Sequence, residues 1–307
     1  MYRTLGQTGV SVSPLGFGAA PIGLLATEQH QVSTVLHQLL DLGVNLIDTA
    51  AGYAGSEVAI GIAVSARRNE FVLVSKCGQA FDDLPGEAWS PEVITATVDR
   101  ALRRLRTDHL DVMLLHSCEL DVLQQGDALG ALIKARDAGK VRFVGYSGDN
   151  EAAAFAAALP DVAVVELSVN LCDQANIDAV LPLTQAHNVG VIAKRPIANS
   201  AWRSPEQLPG LYQEYARSYH ERFTAMGVHL EDLGLDAGTD WAEVAIRFTL
   251  SQPHVHTAII GTTNPENARR NVAAVTHGPL STAAVQHIRD AFARASAKQS
   301  ATWEALR

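Results

Sequence analysis

The chain has 307 residues, 47% of them hydrophobic and 19% charged, with a formal net charge of -9. That composition supports a large core and excludes a disordered chain. The acidic balance excludes a general nucleic-acid or acidic-membrane surface, which needs clustered Lys and Arg against phosphate.

Met1 to Gly6 carries no apolar stretch of the signal-peptide kind and no run reaches membrane length, so the cytosol is the expected location. Predicted strands then recur at Val12 to Phe17, Val44 to Ile47, Phe71 to Ser75, Asp111 to Leu115, Val141 to Val144, Val162 to Val165, Val191 to Ala193 and Thr257 to Ile260. Helical periodicity fills most of the gaps. Val32, Val35, Leu36, Leu39 and Leu40 share one face that ends near Gly43. Ile94, Val98, Ala101, Leu102 and Leu105 follow the cap pair Ser90-Pro91. Trp241, Val244, Ala245 and Phe248 form another stripe, and Asn264-Pro265-Glu266 is a further helix start.

Continuously apolar strands separated by helices imply a parallel sheet covered on both faces. Eight such units close most naturally into a (β/α)8 barrel, with an open doubly wound sheet as the runner-up. No linker divides the chain, so residues 1–307 read as a single domain with a short N-terminal hairpin. The segment Pro196 to Asp240 is long for a barrel connection and reads as a substrate-side loop, with a short helix around Leu211 to Phe223. Cys77, Cys118 and Cys172 are an odd set with no CxxC spacing or neighbouring His/Cys cluster, so neither a disulfide framework nor a metal site is expected.

Polar residues stand where the apolar runs stop: Asp48, Lys76, His116, Ser147, Glu166 and Lys194. Each alone has an ordinary structural reading as a turn cap, a solvated strand end or a satisfied barrel histidine. Together they do not, because barrel packing does not require an acid, an ammonium and an imidazole at the pole where the strand-helix loops converge. Tyr53 follows on the small-residue loop Thr49-Ala50-Ala51-Gly52. A phenol titrates at about 10 unaided. A neighbouring Lys76 cation, kept charged by Asp48, is expected to lower that value and complete a proton relay.

At these residues the sequence resembles the aldo-keto reductase family, in particular its bacterial-type members. The resemblance runs from Leu15-Gly16-Phe17-Gly18 through Ile47-Asp48-Thr49-Ala50, Val74-Ser75-Lys76, Leu114-Leu115-His116 and Gly145-Tyr146-Ser147 to Ile260-Gly261-Thr262-Thr263-Asn264-Pro265-Glu266. It implies Asp48, Tyr53, Lys76 and His116 as catalytic residues and a nicotinamide nucleotide bound by the barrel itself. Gly16-Phe17-Gly18 lacks the third glycine and following helix of a dinucleotide fingerprint, and reads as strand packing. The resemblance places the adenosine end at Gly261, Thr262, Thr263, Asn267, Arg270 and Asn271, where a helix N-terminus, hydroxyls and a guanidinium suit a phosphate dianion. Arg269 or Arg270 would pair with a 2′-phosphate, so NADP(H) is preferred, with NAD(H) as the other option. Ala20, Asp48, Ser147 and Arg195 complete the expected cofactor contacts.

The chain departs from the family pattern in having Gly148 where many members have Asn, Glu166 where they have Gln, and Lys194 where they have a ring-stacking aromatic. An ionised Glu166 accepts from a carboxamide NH2 but cannot donate to its oxygen. An ion pair between Glu166 and Lys194, with the lysine stem against the nicotinamide, is the expected compensation.

The resemblance implies hydride transfer between nicotinamide and a carbonyl carbon, with Tyr53 protonating the oxygen and His116 fixing it. Ile22, Leu24, Phe81, Trp89 and Trp202 are candidate substrate walls. Aromatics at 6% favour small aldehydes, ketones or sugars over an extended steroid pocket. Lys76-Cys77-Gly78 and Ala19-Ala20-Pro21 resemble the sugar dehydrogenase branch. Expected partners are a small-molecule substrate and, at most, a few further copies of the chain, with no nucleic acid or membrane. Two rival readings share this fold: an NADPH-binding sensor or regulatory subunit with little turnover, and an isomerase or lyase using Lys76 as a Schiff-base amine.

Overall fold

The computed structural model describes residues 2–208, 210–298 and 303–306. Strands β1 (Arg3–Thr4) and β2 (Ser11–Val12) pair antiparallel as an N-terminal hairpin. Strands β3 (Leu15–Gly18), β4 (Leu46–Asp48), β5 (Val72–Cys77), β6 (Leu110–His116), β7 (Val141–Ser147), β8 (Val164–Ser168), β9 (Gly190–Lys194) and β10 (Thr257–Ile260) are parallel, and they close into a barrel when β10 pairs with β3. Closure excludes the open doubly wound sheet.

The predicted Val12 to Phe17 strand is two strands. Pro14 has no N–H to donate, and the Ser13 N–H leaves the ladder for the Asn45 side chain at 2.7 Å. The helical faces hold where periodicity places them. Helix Gln29–Asp41 buries Val32, Val35, Leu36, Leu39 and Leu40, each worth about 1.5–3 kcal/mol of transfer free energy. Helix Pro91–Leu105 starts at Ser90, whose side chain accepts from the Val93 N–H. The Pro196 to Asp240 segment is more ordered than expected. Its helix spans Gly210–Met226, 17 residues, where a short helix is predicted.

Period-two alternation positions the site. Leu46, Val72, Val74, Val112, Leu114, Val164, Ile192 and Ile259 pack together inside the barrel, and Leu5, Val10 and Val12 join them from the hairpin end. Continuing those inward positions by one pleat gives Asp48, Lys76, His116, Glu166 and Lys194. The barrel core therefore ends as a polar layer. Gly16 also points inward, and a Cβ there would lie 2.8 Å from Leu46 and 3.0 Å from Ile259, which supports reading Gly16-Phe17-Gly18 as close packing.

Candidate active site

Lys76 Nζ donates to both Asp48 oxygens at 2.6 Å and to the Thr49 carbonyl at 3.0 Å. Glu166 Oε2 stands 3.3 Å from the same nitrogen. All three side chains are buried, so two carboxyls share one ammonium away from water. Burial opposes the charge on Lys76, but Asp48 and then Glu166 outweigh it and hold its pKa above the usual lysine range. Two carboxyls facing one buried cation titrate as a coupled pair. Burial and then Glu166 push Asp48 well up, whereas at Glu166 the cations Lys76 and Lys194 outweigh burial, and the two titrate as one pair. A Schiff-base role needs a free neutral amine. Lys76 is clamped and charged, which removes that rival.

Tyr53 lies on the turn after β4, its N–H bonded to the Ala50 carbonyl at 3.0 Å. Its ring meets the His116 ring edge-on at 5.9 Å between centroids, and Lys76 Nζ lies 5.5 Å from its centre. The expected lowering of the phenol's pKa does not occur. Burial pushes it up to about 12, and the pull of Lys76, real but smaller, does not reverse this. Burial, then the Lys76 charge, takes His116 down to about 3. The imidazole therefore stays neutral and keeps one N–H to offer. The 15N shifts of its ring should show the neutral form at pH 5, where an ordinary histidine is mostly charged. An imidazolium signal at that pH would contradict this environment.

The Glu166–Lys194 ion pair is not formed. Lys194 Nζ pairs with Asp149 Oδ2 at 3.0 Å, while Glu166 accepts from Ser147 Oγ at 3.1 Å and faces Lys76. The register explains it. Glu166 sits beside Ile192 and Ser168 beside Lys194, so Lys194 stands one pleat further out, level with the Asp149 carboxylate that accepts from the Ser168 N–H. Arg195 is fixed by the Leu306 carbonyl, by Ser168 and Tyr219 hydroxyls at 3.4 Å, and by stacking over Tyr215 at 4.8 Å.

A cleft of about 620 Å³ opens over this layer, inside the usual ligand-site range of about 300–1,000 Å³. Asp48, Tyr53, His116, Ser147, Glu166 and Lys194 all line it, as do Ala20 and Arg195. At its other end stand Gly261, Thr262, Thr263 and Asn267, beside the N-terminus of helix Pro265–Thr276. Gly261 is pressed so closely that a Cβ would fall 2.5 Å from Pro21. Arg270 and Asn271 do not line the cleft. Arg270 is exposed and paired with Asp240, and Arg269 is paired with Glu266 at 3.3 Å. Among the expected substrate walls only Leu24 lines the cleft. Ile22 is buried in the core, Trp89 covers Gly78, Trp202 packs against the core, and Phe81 lies under Arg100.

The family profile described as Aldo/keto reductase family matches residues 14–292. The chain belongs to the aldo/keto reductase family. It is an oxidoreductase of that family, whose members generally reduce carbonyls with NAD(P)H. It is 29% identical over 290 residues to L-galactose dehydrogenase of Arabidopsis thaliana, covering 89% of this chain and 88% of that one. It is 25% identical over 301 residues to the NADH-specific methylglyoxal reductase of Escherichia coli K12, covering 88% and 92%. The holo form of an aldo-keto reductase from Bacillus halodurans superposes with a TM-score of 0.81 at 24% identity, covering 98% and 97%, a likeness of fold. No helix among the described residues is long and apolar enough to cross a membrane.

In this family member the cleft also uses residues that sequence reasoning missed: Ser117, Ile197, Asn199, Ser200, Leu208 and Tyr215. Arg195, Ala198, Asn199 and Ser200 have positive φ of 55, 44, 49 and 59°. Left-handed backbone at four non-glycine positions is strain that surrounding packing must hold. No residue type in Arg195-Pro196-Ile197-Ala198-Asn199-Ser200 announces it.

Proposed function

We propose that the chain interconverts a small carbonyl compound and its alcohol by hydride transfer with NADP(H), Tyr53 serving as the general acid/base. The observation that carries this reading is the convergence of Asp48, Tyr53, Lys76 and His116 at one end of a cleft whose other end is a helix N-terminus rimmed by hydroxyls. The residues fit such a cofactor. Glu166, its Oε2 buried 3.3 Å from Lys76 Nζ, forms part of the cleft wall at the tetrad end. Bound there, the nicotinamide supplies or takes up hydride.

The chain's own groups do the rest. Tyr53, protonated across the physiological range, donates its hydroxyl proton to the developing oxyanion. Neutral His116 holds the carbonyl oxygen by hydrogen bonding, and Lys76, oriented by Asp48, lies behind the Tyr53 ring. Leu24, Ile197 and Tyr215 contribute apolar surface to the cleft wall. The likeness to L-galactose dehydrogenase favours an aldehyde, ketone or aldose substrate.

The preference for NADP(H) rests on Arg270, which lies outside the cleft lining and would have to exchange Asp240 for a 2′-phosphate. Arg270→Ala should weaken NADPH about tenfold and leave NADH within about twofold, as removal of a charge-assisted bond does. Equal effects on both nucleotides would remove Arg270 from cofactor choice. The reading as a whole is tested by fluorescence titration with both nucleotides, followed by turnover of a panel of aldehydes, ketones and aldoses. Binding with turnover supports it. Binding with no turnover of any panel member favours a sensor, and no binding overturns it.

A further inference from the structure

We propose that the segment Trp303–Leu306 is a positioning element of the cleft, holding the Arg195 guanidinium in place as the receptor for an anionic group of the bound ligand. The inference rests on the nicotinamide-dependent reading above only for the identity of that ligand.

Arg195 lines the cleft, and its φ of 55° is one that a non-glycine residue keeps only where its surroundings hold it. Its Nη1 donates to the Leu306 carbonyl and, at 3.4 Å each, to the Ser168 and Tyr219 hydroxyls. All three acceptors are neutral. The charges around the cleft balance in number, Asp48, Asp149 and Glu166 against Lys76, Lys194 and Arg195, but not in contact. Lys76 meets Asp48 and Glu166, and Lys194 meets Asp149 at 3.0 Å. Asp149 also acts on Arg195, from further away. Among the described residues no carboxylate is ion-paired with Arg195. Its planar fork of donors, which suits a phosphate or a carboxylate, therefore brings to the cleft wall a cation without an anion in contact.

The segment reaches this guanidinium through its main chain, and the hydrogen bonds close a circuit. The Leu306 N–H donates to the two Asp173 oxygens at 3.3 and 3.2 Å, Tyr219 donates to Asp173 at 2.6 Å, and Arg195 donates to both Tyr219 and Leu306. Arg222 braces the circuit by donating to Asp173 at 2.6 Å and to the Glu304 carbonyl at 2.8 Å. From the other side Asn150 clasps Ala305, accepting from its N–H at 2.9 Å and donating to its carbonyl at 3.1 Å. The buried Trp303 ring, edge-on to Phe292 at 5.2 Å between centroids, anchors the segment to the last helix. Without the Leu306 carbonyl, Arg195 would keep only two long contacts to hydroxyls. A long side chain so released must be ordered again when a ligand binds, and affinity falls by that much.

Calorimetric binding of NADPH and of inorganic pyrophosphate tests this in the wild type, in a chain stopped after Lys298 and in Asn150→Gly. The last variant releases both Ala305 bonds at a φ of 58° that glycine adopts freely, so it carries the test if the stopped chain does not fold. Stopping the chain should weaken both probes about tenfold, the size of one hydrogen bond to a charged group, and Asn150→Gly about threefold. Arg195→Met should weaken them at least as much, and in its background neither change to the segment should weaken them further, because both act through the same guanidinium. Glu304→Ala, at an exposed side chain, should change nothing. Losses that simply add to that of Arg195→Met overturn the inference, since the segment would then support the fold alone. If NADPH binding is unmoved, while the KM of glyceraldehyde 3-phosphate rises relative to that of glyceraldehyde and does so only when Arg195 is present, the anion is the substrate's and the inference stands. No change in any of these overturns it and leaves the oxidoreductase reading intact. A wild type that binds pyrophosphate but neither nucleotide overturns that reading, and pyrophosphate then decides the role of the segment.

Discussion

Tyr53→Phe should lower carbonyl reduction by about 10²–10⁴-fold while leaving the NADPH dissociation constant within about twofold. The substitution removes one oxygen and little else. The phenyl ring keeps its edge contact with His116 and its place over Lys76, 5.9 and 5.5 Å away in the native protein, so the cleft wall and the buried charge group beneath it stay as they are. What is lost is the only hydroxyl proton that the proposed mechanism delivers to the oxyanion. Neutral His116, its pKa near 3, is a poor substitute, because giving up its one N–H proton would leave an imidazolate beside Glu166. Turnover of the variant at the wild-type rate would transfer the acid role to another group. Parallel loss of nucleotide binding would mean that the ring, not the hydroxyl, is what matters.

The same residue fixes the expected pH behaviour of the reductive direction. With the phenol's pKa pushed up to about 12, Tyr53 is fully protonated to well above pH 9, so single-turnover reduction should show no alkaline limb attributable to it in that range. Rapid-mixing traces of bound NADPH oxidation between pH 6 and 9 read this directly. A limb centred near pH 8 would mean that substrate or cofactor binding lowers the phenol's pKa by several units.

The strand ends were legible because alternation in a barrel is strict. Once Leu46, Val72, Val74, Val112 and Leu114 are inward, Asp48, Lys76 and His116 must follow them. The partners of those ends were not legible to the same degree. Whether Lys194 meets Glu166 or Asp149 depends on a one-pleat stagger between β8 and β9, and apolar runs alone do not encode it. The sign of the Tyr53 shift likewise needed its burial, which composition around Thr49-Ala50-Ala51-Gly52 conceals, although its cationic neighbour was foreseeable. Substrate walls were the weakest reading. Large side chains such as Trp89 and Trp202 serve loop packing, while the cleft is lined by the segment from Arg195 to Ser200, in which Arg195, Ala198, Asn199 and Ser200 are left-handed.

Lys76→Met should destabilise the fold by about 3–5 kcal/mol at pH 8, the usual cost of removing one partner from a buried ion pair. The lysine compensates two carboxyls, Asp48 at 2.6 Å and Glu166 at 3.3 Å, and methionine fills its volume without replacing its charge. In the variant both acids would have folded pKa values raised above their unfolded values of about 3.9 and 4.3. A raised acid costs stability as pH rises above its unfolded value, because the unfolded chain then ionises and the folded one resists. The deficit should therefore be largest above about pH 7 and shrink as pH falls toward 4. Denaturant midpoints of wild type and variant at pH 4.5 and 8 measure it. Combining Lys76→Met with Asp48→Asn and Glu166→Gln removes all three charges and should recover most of the loss, since a neutral buried cluster often matches or exceeds an ionic one in stability. A Lys76→Met protein as stable as wild type at pH 8 would mean that the two carboxyls are neutralised without the ammonium. In that case the lysine's place between them would serve the reaction and not the fold.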